Sequence, residues 1–192
     1  MKFLVLVVLS VVMLVTPVFA YDWVTSPING HLYTIVDNNT SWTDAENKAV
    51  ALGGHLATIR SQAENDWVFN LAVSSTGSGV YGAWIGMYQL SGSPEPAGGW
   101  VWSSGEAVTY THWQTSTGEP NDYYGNSSEN WAKMYVRKHD WDENVTFWND
   151  TWHYEPARPD TIGIVEVVPE PASFLAIGVG LSALLIQKRR TK

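Results

Sequence analysis

An α+β domain is predicted from three features of the sequence. Two capped helical segments follow one another before residue 75, short aromatic-rich stretches separated by Gly, Pro, Ser and Thr follow them, and cysteine is absent. That order of elements produces two helices on a loop-rich, mostly antiparallel sheet, here without disulfides. Asn29-Gly30 marks a turn, and the alternation over 29–35 predicts an opening strand. Thr43 stands three residues before Glu46, a capping box for a helix over 44–52 that Gly53-Gly54 closes. Residues 56–59 read as a short strand. Ser61 and Glu64 repeat the box ahead of Trp67, Val68, Leu71 and Ala72, which share one helical face. After residue 74, the segments 83–86, 99–102, 108–113, 131–136 and 162–167 read as short strands joined by long loops.

The length of 192 residues suits one domain with address segments at its ends. Residues 1–20 carry Lys2, an apolar stretch and Val18-Phe19-Ala20, the pattern of a secretory signal peptide. Residues 21–168 form the predicted domain, and 169–192 a terminal segment. That segment holds Pro169-Glu170-Pro171, an apolar run over 174–186 and Lys188-Arg189-Arg190. Thirteen apolar residues fall short of the roughly 20 that a comfortable transmembrane span needs, so the run is a marginal anchor. A hydrophobic helix packed on the domain is the alternative. The order of elements resembles the PEP-CTERM sorting signal of Gram-negative bacteria. That resemblance implies export, recognition by an exosortase, and transient or permanent membrane anchoring at the cell surface.

Six of the 11 Lys and Arg lie in residues 21–170 against all 19 acidic residues, a balance of −13. Nucleic acid and anionic membranes recruit clustered cations, so neither is an expected partner. All 11 Trp and nine Tyr lie in the same stretch, which is inconsistent with a disordered acidic tail. An exported chain with no cysteine has no disulfide framework, thiolate-bound zinc or thiol nucleophile.

Catalytic motifs are missing. His31, His55, His112, His139 and His153 show no His-Glu-x-x-His spacing, and neither Gly-x-Ser-x-Gly nor a phosphate-binding glycine loop occurs. No enzymatic activity is expected. His55, at a helix-to-strand turn, reads as a structural histidine. Oxygen-bearing side chains concentrate instead between residues 119 and 150: Glu119-Pro120-Asn121-Asp122, Glu129-Asn130 and Trp148-Asn149-Asp150. Calcium takes six to eight oxygen ligands and mixes carboxylates with neutral carbonyls. A cis bond at Pro120 would let residues 119 and 121 point toward one ion. Composition alone equally fits a solvated acidic loop.

The ordered anchors Trp42-x-x-Ala45-Glu46, the stretch 51–59 (ALGGHLATI), Glu64, Trp84-Ile85-Gly86, His112-Trp113, Glu119-Pro120-Asn121-Asp122, Glu129, Trp148-Asn149-Asp150 and Ile164-Val165-Glu166 resemble a C-type lectin-like domain over roughly 28–168. The resemblance implies that fold, one Ca2+, and a sugar held by it. Carried over by position, the metal and sugar ligands are Glu119, Asn121, Glu129, Asn149 and Asp150, with Pro120 structural. In that family Glu-Pro-Asn accompanies mannose-type hydroxyls, which implies mannose, fucose, glucose or N-acetylglucosamine ligands and an extracellular polysaccharide as a target. Trp113 and Tyr123 are candidates to stack on the sugar, with packing the alternative for Trp113.

The sequence departs from the family in two ways. Ala49 and Val165, and Trp131 and His153, stand where related domains carry two bridges, and each missing bridge removes about 2–4 kcal/mol that other contacts must supply. Tyr123-Tyr124-Gly125-Asn126 lengthens the loop before Glu129. Asp122 would serve an auxiliary ion, for which residues 89–95 offer no matching acids, and Asp140, Asp142 and Glu143 read as a solvated loop. The leading expectation is an exported calcium-dependent carbohydrate-binding protein. The alternative is a structural or protein-binding extracellular module that uses the same fold without sugar.

Overall fold

The computed structural model describes residues 21–36, 41–76, 80–136, 146–151 and 161–169. The signal peptide, the apolar run over 174–186, His139, His153 and Asp140 to Glu143 lie outside the described residues. Elements follow in the order β1 (Val24–Thr25), β2 (Leu32–Val36), α1 (Trp42–Ala51), β3 (His55–Leu56), α2 (Gln62–Thr76), β4 (Gly82–Gln89), β5 (Trp100–Trp102), β6 (Trp131–Tyr135), β7 (Trp148–Thr151) and β8 (Thr161–Val167). One sheet runs β1-β2-β8-β4-β6-β7, with β3 on β8 and β5 on β4. All pairs are antiparallel except β4 with β8.

The strand period of two buries the central strands on both faces. On β4 and β8, Ala83, Ile85, Met87, Ile162 and Ile164 join one apolar cluster with Val68, Leu71 and Ala72 of α2. Their alternate neighbours Trp84 and Val165 join Ala45 and Ala49 of α1 in a second. The helices therefore cover opposite faces of the sheet. Ala49 and Val165, at one of the missing bridge positions, are both fully buried in that second cluster, where packing replaces a covalent tie.

The first helix starts earlier than the box at Thr43 predicts. Ser41 is the N-cap, its hydroxyl accepting from the Asp44 N–H at 3.1 Å. The register is set by Trp42, whose indole donates to the Ile85 carbonyl at 2.8 Å across the core. Glu46 is thereby released from capping. Its carboxylate binds His55 Nδ1 at 2.6 Å and accepts from the Leu56 N–H at 2.9 Å. That makes His55 the structural histidine expected, although its side chain is half exposed.

The helix closes as predicted, in a Schellman motif: the Gly54 N–H reaches Ala49 O and the Gly53 N–H reaches Val50 O, both at 3.0 Å, with Gly53 at φ +87°. Gly54 then passes beneath β8, where an added Cβ would lie 2.0 Å from the Glu166 carbonyl oxygen. Gly54→Ala is expected to destabilise the fold by about 1–3 kcal/mol, the usual cost of forcing extra volume into a packed site. An unchanged urea midpoint would contradict this packing.

At α2 the Ser61 hydroxyl accepts from the Glu64 N–H at 3.2 Å, as the box predicts, while Glu64 itself reaches back to the Arg60 N–H at 2.5 Å. Two strand expectations differ from the structure, and two observed strands are not expected. Residues 108–113 form no strand; they flank β7 through two backbone bonds, Trp148 N–H to His112 O and Gln114 N–H to Trp148 O. The strand expected over 56–59 is only His55–Leu56, because Thr58 turns its N–H to the Glu166 side chain at 2.8 Å. Short β1 and β7 carry no apolar alternation and are not predicted.

A charged hub also supports the chain. Arg60 donates to Glu166 at 2.9 Å and pairs with Glu106, while Glu166 meets His31 Nδ1 at 2.5 Å. The Arg60 guanidinium, outweighing desolvation, holds Glu106 below the usual carboxylate range. The hub ties β8, the β1–β2 turn, the start of α2 and the loop after β5 together.

Candidate metal and sugar site

The five predicted ligands come from one strand, β7, and the loop before β6, and the Asp150 carboxylate bonds the backbone of that loop. β6 pairs with β7 so that Asn149 lies opposite Lys133 and Asp150 opposite Ala132. β7 is anchored from the core by Trp148, which is fully buried and donates from its indole to Asn65 Oδ1 at 2.8 Å. The Glu119-Pro120 bond is cis, the arrangement considered from the sequence. The loop is pinned to β7 because the Asp150 carboxylate accepts from the Asn121 N–H at 3.0 Å on both oxygens and from the Asp122 N–H at 2.8 Å.

Glu119, Glu129 and Asp150 are all buried. Burial first, then the hydrogen bond and charge of Asp150, push the Glu119 carboxyl up to about 8; Asn149 and Thr117 bond it in the opposite sense. Glu129 is pushed up to about 7 by burial and then by the charge of Asp150. Its Oε2 accepts from the Tyr123 N–H at 2.6 Å. Two oxygens of this loop, Glu119 Oε2 and Asn121 Oδ1, are buried and unpartnered. The structure thus gathers Glu119, Asn121, Asn149 and Asp150 directly and brings Glu129 within electrostatic range of Asp150. Among the described residues, no group of three or more His, Cys, Asp or Glu side chains is by itself placed to hold a metal ion.

Asp122 has a different role from the auxiliary ligand considered above. Its carboxylate accepts from the N–H groups of Ser127 and Ser128 at 3.0 Å and of Glu129 at 3.3 Å. Against the upward push of desolvation, these donors hold it below the usual carboxylate range. The side chain folds the lengthened loop back so that Glu129 returns to the site. An Asp followed by Gly, Asn and Ser is the local signal for such a turn. Trp113 is half buried, its ring 4.7 Å from that of Trp100 and 5.8 Å from that of Trp148, which favours packing over sugar contact.

The mixed sheet with two helices, the cis proline loop and the polar β7 together have the architecture of a C-type lectin-like domain. The Lectin C-type domain matches residues 38–153, and the chain belongs to that family. Snaclec bitiscetin subunit alpha of Bitis arietans is 35% identical over 104 residues, which cover 54% of this chain and 73% of the relative. Some other curated relatives are spanned over only about half their length, down to 50%. Among solved structures, the C-type lectin CEL-I from Cucumaria echinata aligns with a TM-score of 0.61 at 23% identity, covering 78% of this chain and 96% of that one. A calcium-independent type II antifreeze protein aligns with a TM-score of 0.55 at 21% identity, covering 76% and 92%. At these identities the solved structures share the fold.

Family and fold together support a general capability for carbohydrate recognition. A PEP-CTERM protein-sorting motif matches residues 167–190, which marks the chain for export and exosortase-mediated membrane anchoring, as in surface-localised bacterial proteins. Among the described residues no helix is long and apolar enough to cross a membrane.

Proposed function

We propose that the domain over 21–168 binds carbohydrate through one calcium ion, with mannose-type specificity, at the surface to which the 169–192 segment directs it. One observation carries this reading. Glu119, Glu129 and Asp150 are buried, and Glu119 Oε2 and Asn121 Oδ1, on the two sides of the cis Pro120, are buried without a hydrogen-bond partner. An unpaired buried acceptor is unfavourable by about 1–3 kcal/mol, and a hard cation is the partner that relieves several at once. The donor set of three carboxylates and two amides is all oxygen, which suits calcium over softer metals.

Bound there, the ion supplies positive charge and open positions for two adjacent sugar hydroxyls. The residues around it supply selectivity. Glu119 and Glu129 only accept hydrogen bonds, whereas Asn121 and Asn149 also donate through their amides. A hydroxyl that gives its proton to a carboxylate and takes one from an amide satisfies both. Only vicinal hydroxyls of matching stereochemistry do so in pairs, and Glu-Pro-Asn points to the mannose, fucose, glucose or N-acetylglucosamine arrangement.

Calorimetric titration of the full chain with calcium, then with mannose in calcium and in chelator, tests the proposal. Heat with mannose only in calcium is the expected result. Calcium binding with no sugar heat across a broad glycan panel would support the alternative, a structural or protein-binding module. Asn149→Ala is expected to weaken retention on immobilised mannose at least tenfold, about 1.4 kcal/mol, while leaving the circular dichroism spectrum unchanged. Undiminished retention would remove Asn149 from the site.

A further inference from the structure

The lengthened loop does more than return Glu129 to the site. Tyr123 and Tyr124, at its tip, are 77% and 64% exposed, the most exposed large hydrophobic side chains among the described residues. Their rings stand edge to face with centroids 5.1 Å apart and planes at 88°. Nothing in the core requires two phenol rings in solvent. The turn that carries them is closed: Asp122 accepts from three backbone N–H groups and the Ser128 hydroxyl, and the chain takes left-handed conformations at Asp122, Gly125, Asn126 and Ser127.

Its position is equally defined. The Tyr123 N–H bonds Glu129 and the Asp122 N–H bonds Asp150, so the pair leaves the main chain within one residue of two candidate ligands. We propose that Tyr123 and Tyr124 form a second subsite, stacking on the apolar C–H face of the sugar unit next to the one held at Glu119, Asn121 and Asn149. The proposal rests on the calcium-dependent reading above and extends it from a monosaccharide to a chain of at least two units. Tyrosine suits the task because it presents a broad rigid face, loses little side-chain entropy and keeps a hydroxyl for hydrogen bonding. The ligand is a neutral glycan. Asp122 stands directly before the pair and is held below the usual carboxylate range, and uronic acids or sulfated sugars would meet its charge.

Calorimetry on the full chain in calcium, with methyl α-mannoside and with mannotriose as probes, tests this. The Tyr123→Ala/Tyr124→Ala double variant is expected to bind mannotriose roughly tenfold more weakly, to bind the monosaccharide within about twofold of the parent, and to keep its calcium affinity. Tyr123→Phe/Tyr124→Phe is expected to restore most of the mannotriose affinity, because the ring faces remain. An unchanged ratio of mannotriose to monosaccharide affinity in the alanine variant would overturn the subsite while leaving the primary site standing. An equal loss for both probes would also overturn it, by placing the rings in the primary site. Calcium binding by the parent without heat from either sugar would overturn the calcium-dependent reading and the subsite with it.

Discussion

Asp150→Ala is expected to abolish calcium-dependent sugar retention and to destabilise the calcium-free domain by about 2–4 kcal/mol. The side chain is 1% exposed and accepts from the backbone of both Asn121 and Asp122. Hydrogen bonds to a charged group contribute about 1.5–3 kcal/mol each, and the donors left behind stay in a partly buried loop. Relief of repulsion offsets part of this, because the charge of Asp150 is among the causes that raise Glu119 and Glu129. Asp150→Asn separates the two effects. It keeps the volume and one accepting oxygen, so it is expected to lose calcium binding with a smaller loss of stability. Urea unfolding and calcium calorimetry on both variants provide the check, and wild-type calcium affinity in Asp150→Ala would refute the central place given to this residue.

Local chemistry was readable in the sequence and non-local chemistry was not. The stop at Gly53-Gly54 is legible because a left-handed C-cap is a property of the residue itself. The start of the same helix is not: Thr43 before Glu46 is the fuller box, yet Ser41 is the cap, and the bond from Trp42 to Ile85, 43 residues away, sets the register. Strands β4, β5, β6 and β8 show as aromatic or β-branched runs. β7 does not, because two of its four residues, Asn149 and Asp150, are polar and break the alternation. The hub at Arg60 joins partners 46 and 106 residues apart, a separation at which no sequence spacing carries a signal. The candidate ligand set is suggested only by resemblance to a family. Residues 119 to 150 are too scattered for spacing to unite them, and only the fold shows that the backbone around Pro120 is bonded to Asp150.

The calcium-free domain is expected to lose stability as pH rises from about 4.5 to 8, the reverse of an acid-sensitive protein, and calcium is expected to cancel the loss. Glu119 and Glu129 are raised from 4.5 to about 8 and about 7. A carboxyl raised on folding binds its proton more tightly in the folded state. Its contribution is therefore fully present below the unfolded value and disappears as pH rises through the folded one. Asp122 and Glu106, both lowered, act in the opposite sense, but their contribution is lost only as pH falls below the ordinary carboxylate range. The two effects occupy separate windows. Calcium competes with the same protons, so its affinity is expected to rise across pH 5–8 and each ion bound near pH 6 to release close to two protons. The gap between melting temperatures in calcium and in chelator should widen accordingly. Glu119→Gln isolates the cause: at pH 8 it removes a buried negative charge, and it is expected to raise the calcium-free melting temperature while eliminating the response to calcium. Melting curves at pH 5, 6, 7 and 8, with proton release measured by calorimetry in two buffers, decide the matter. A calcium-free melting temperature that stays flat over that range in the parent, or that Glu119→Gln leaves unchanged at pH 8, would mean that these carboxyls are not gathered as described.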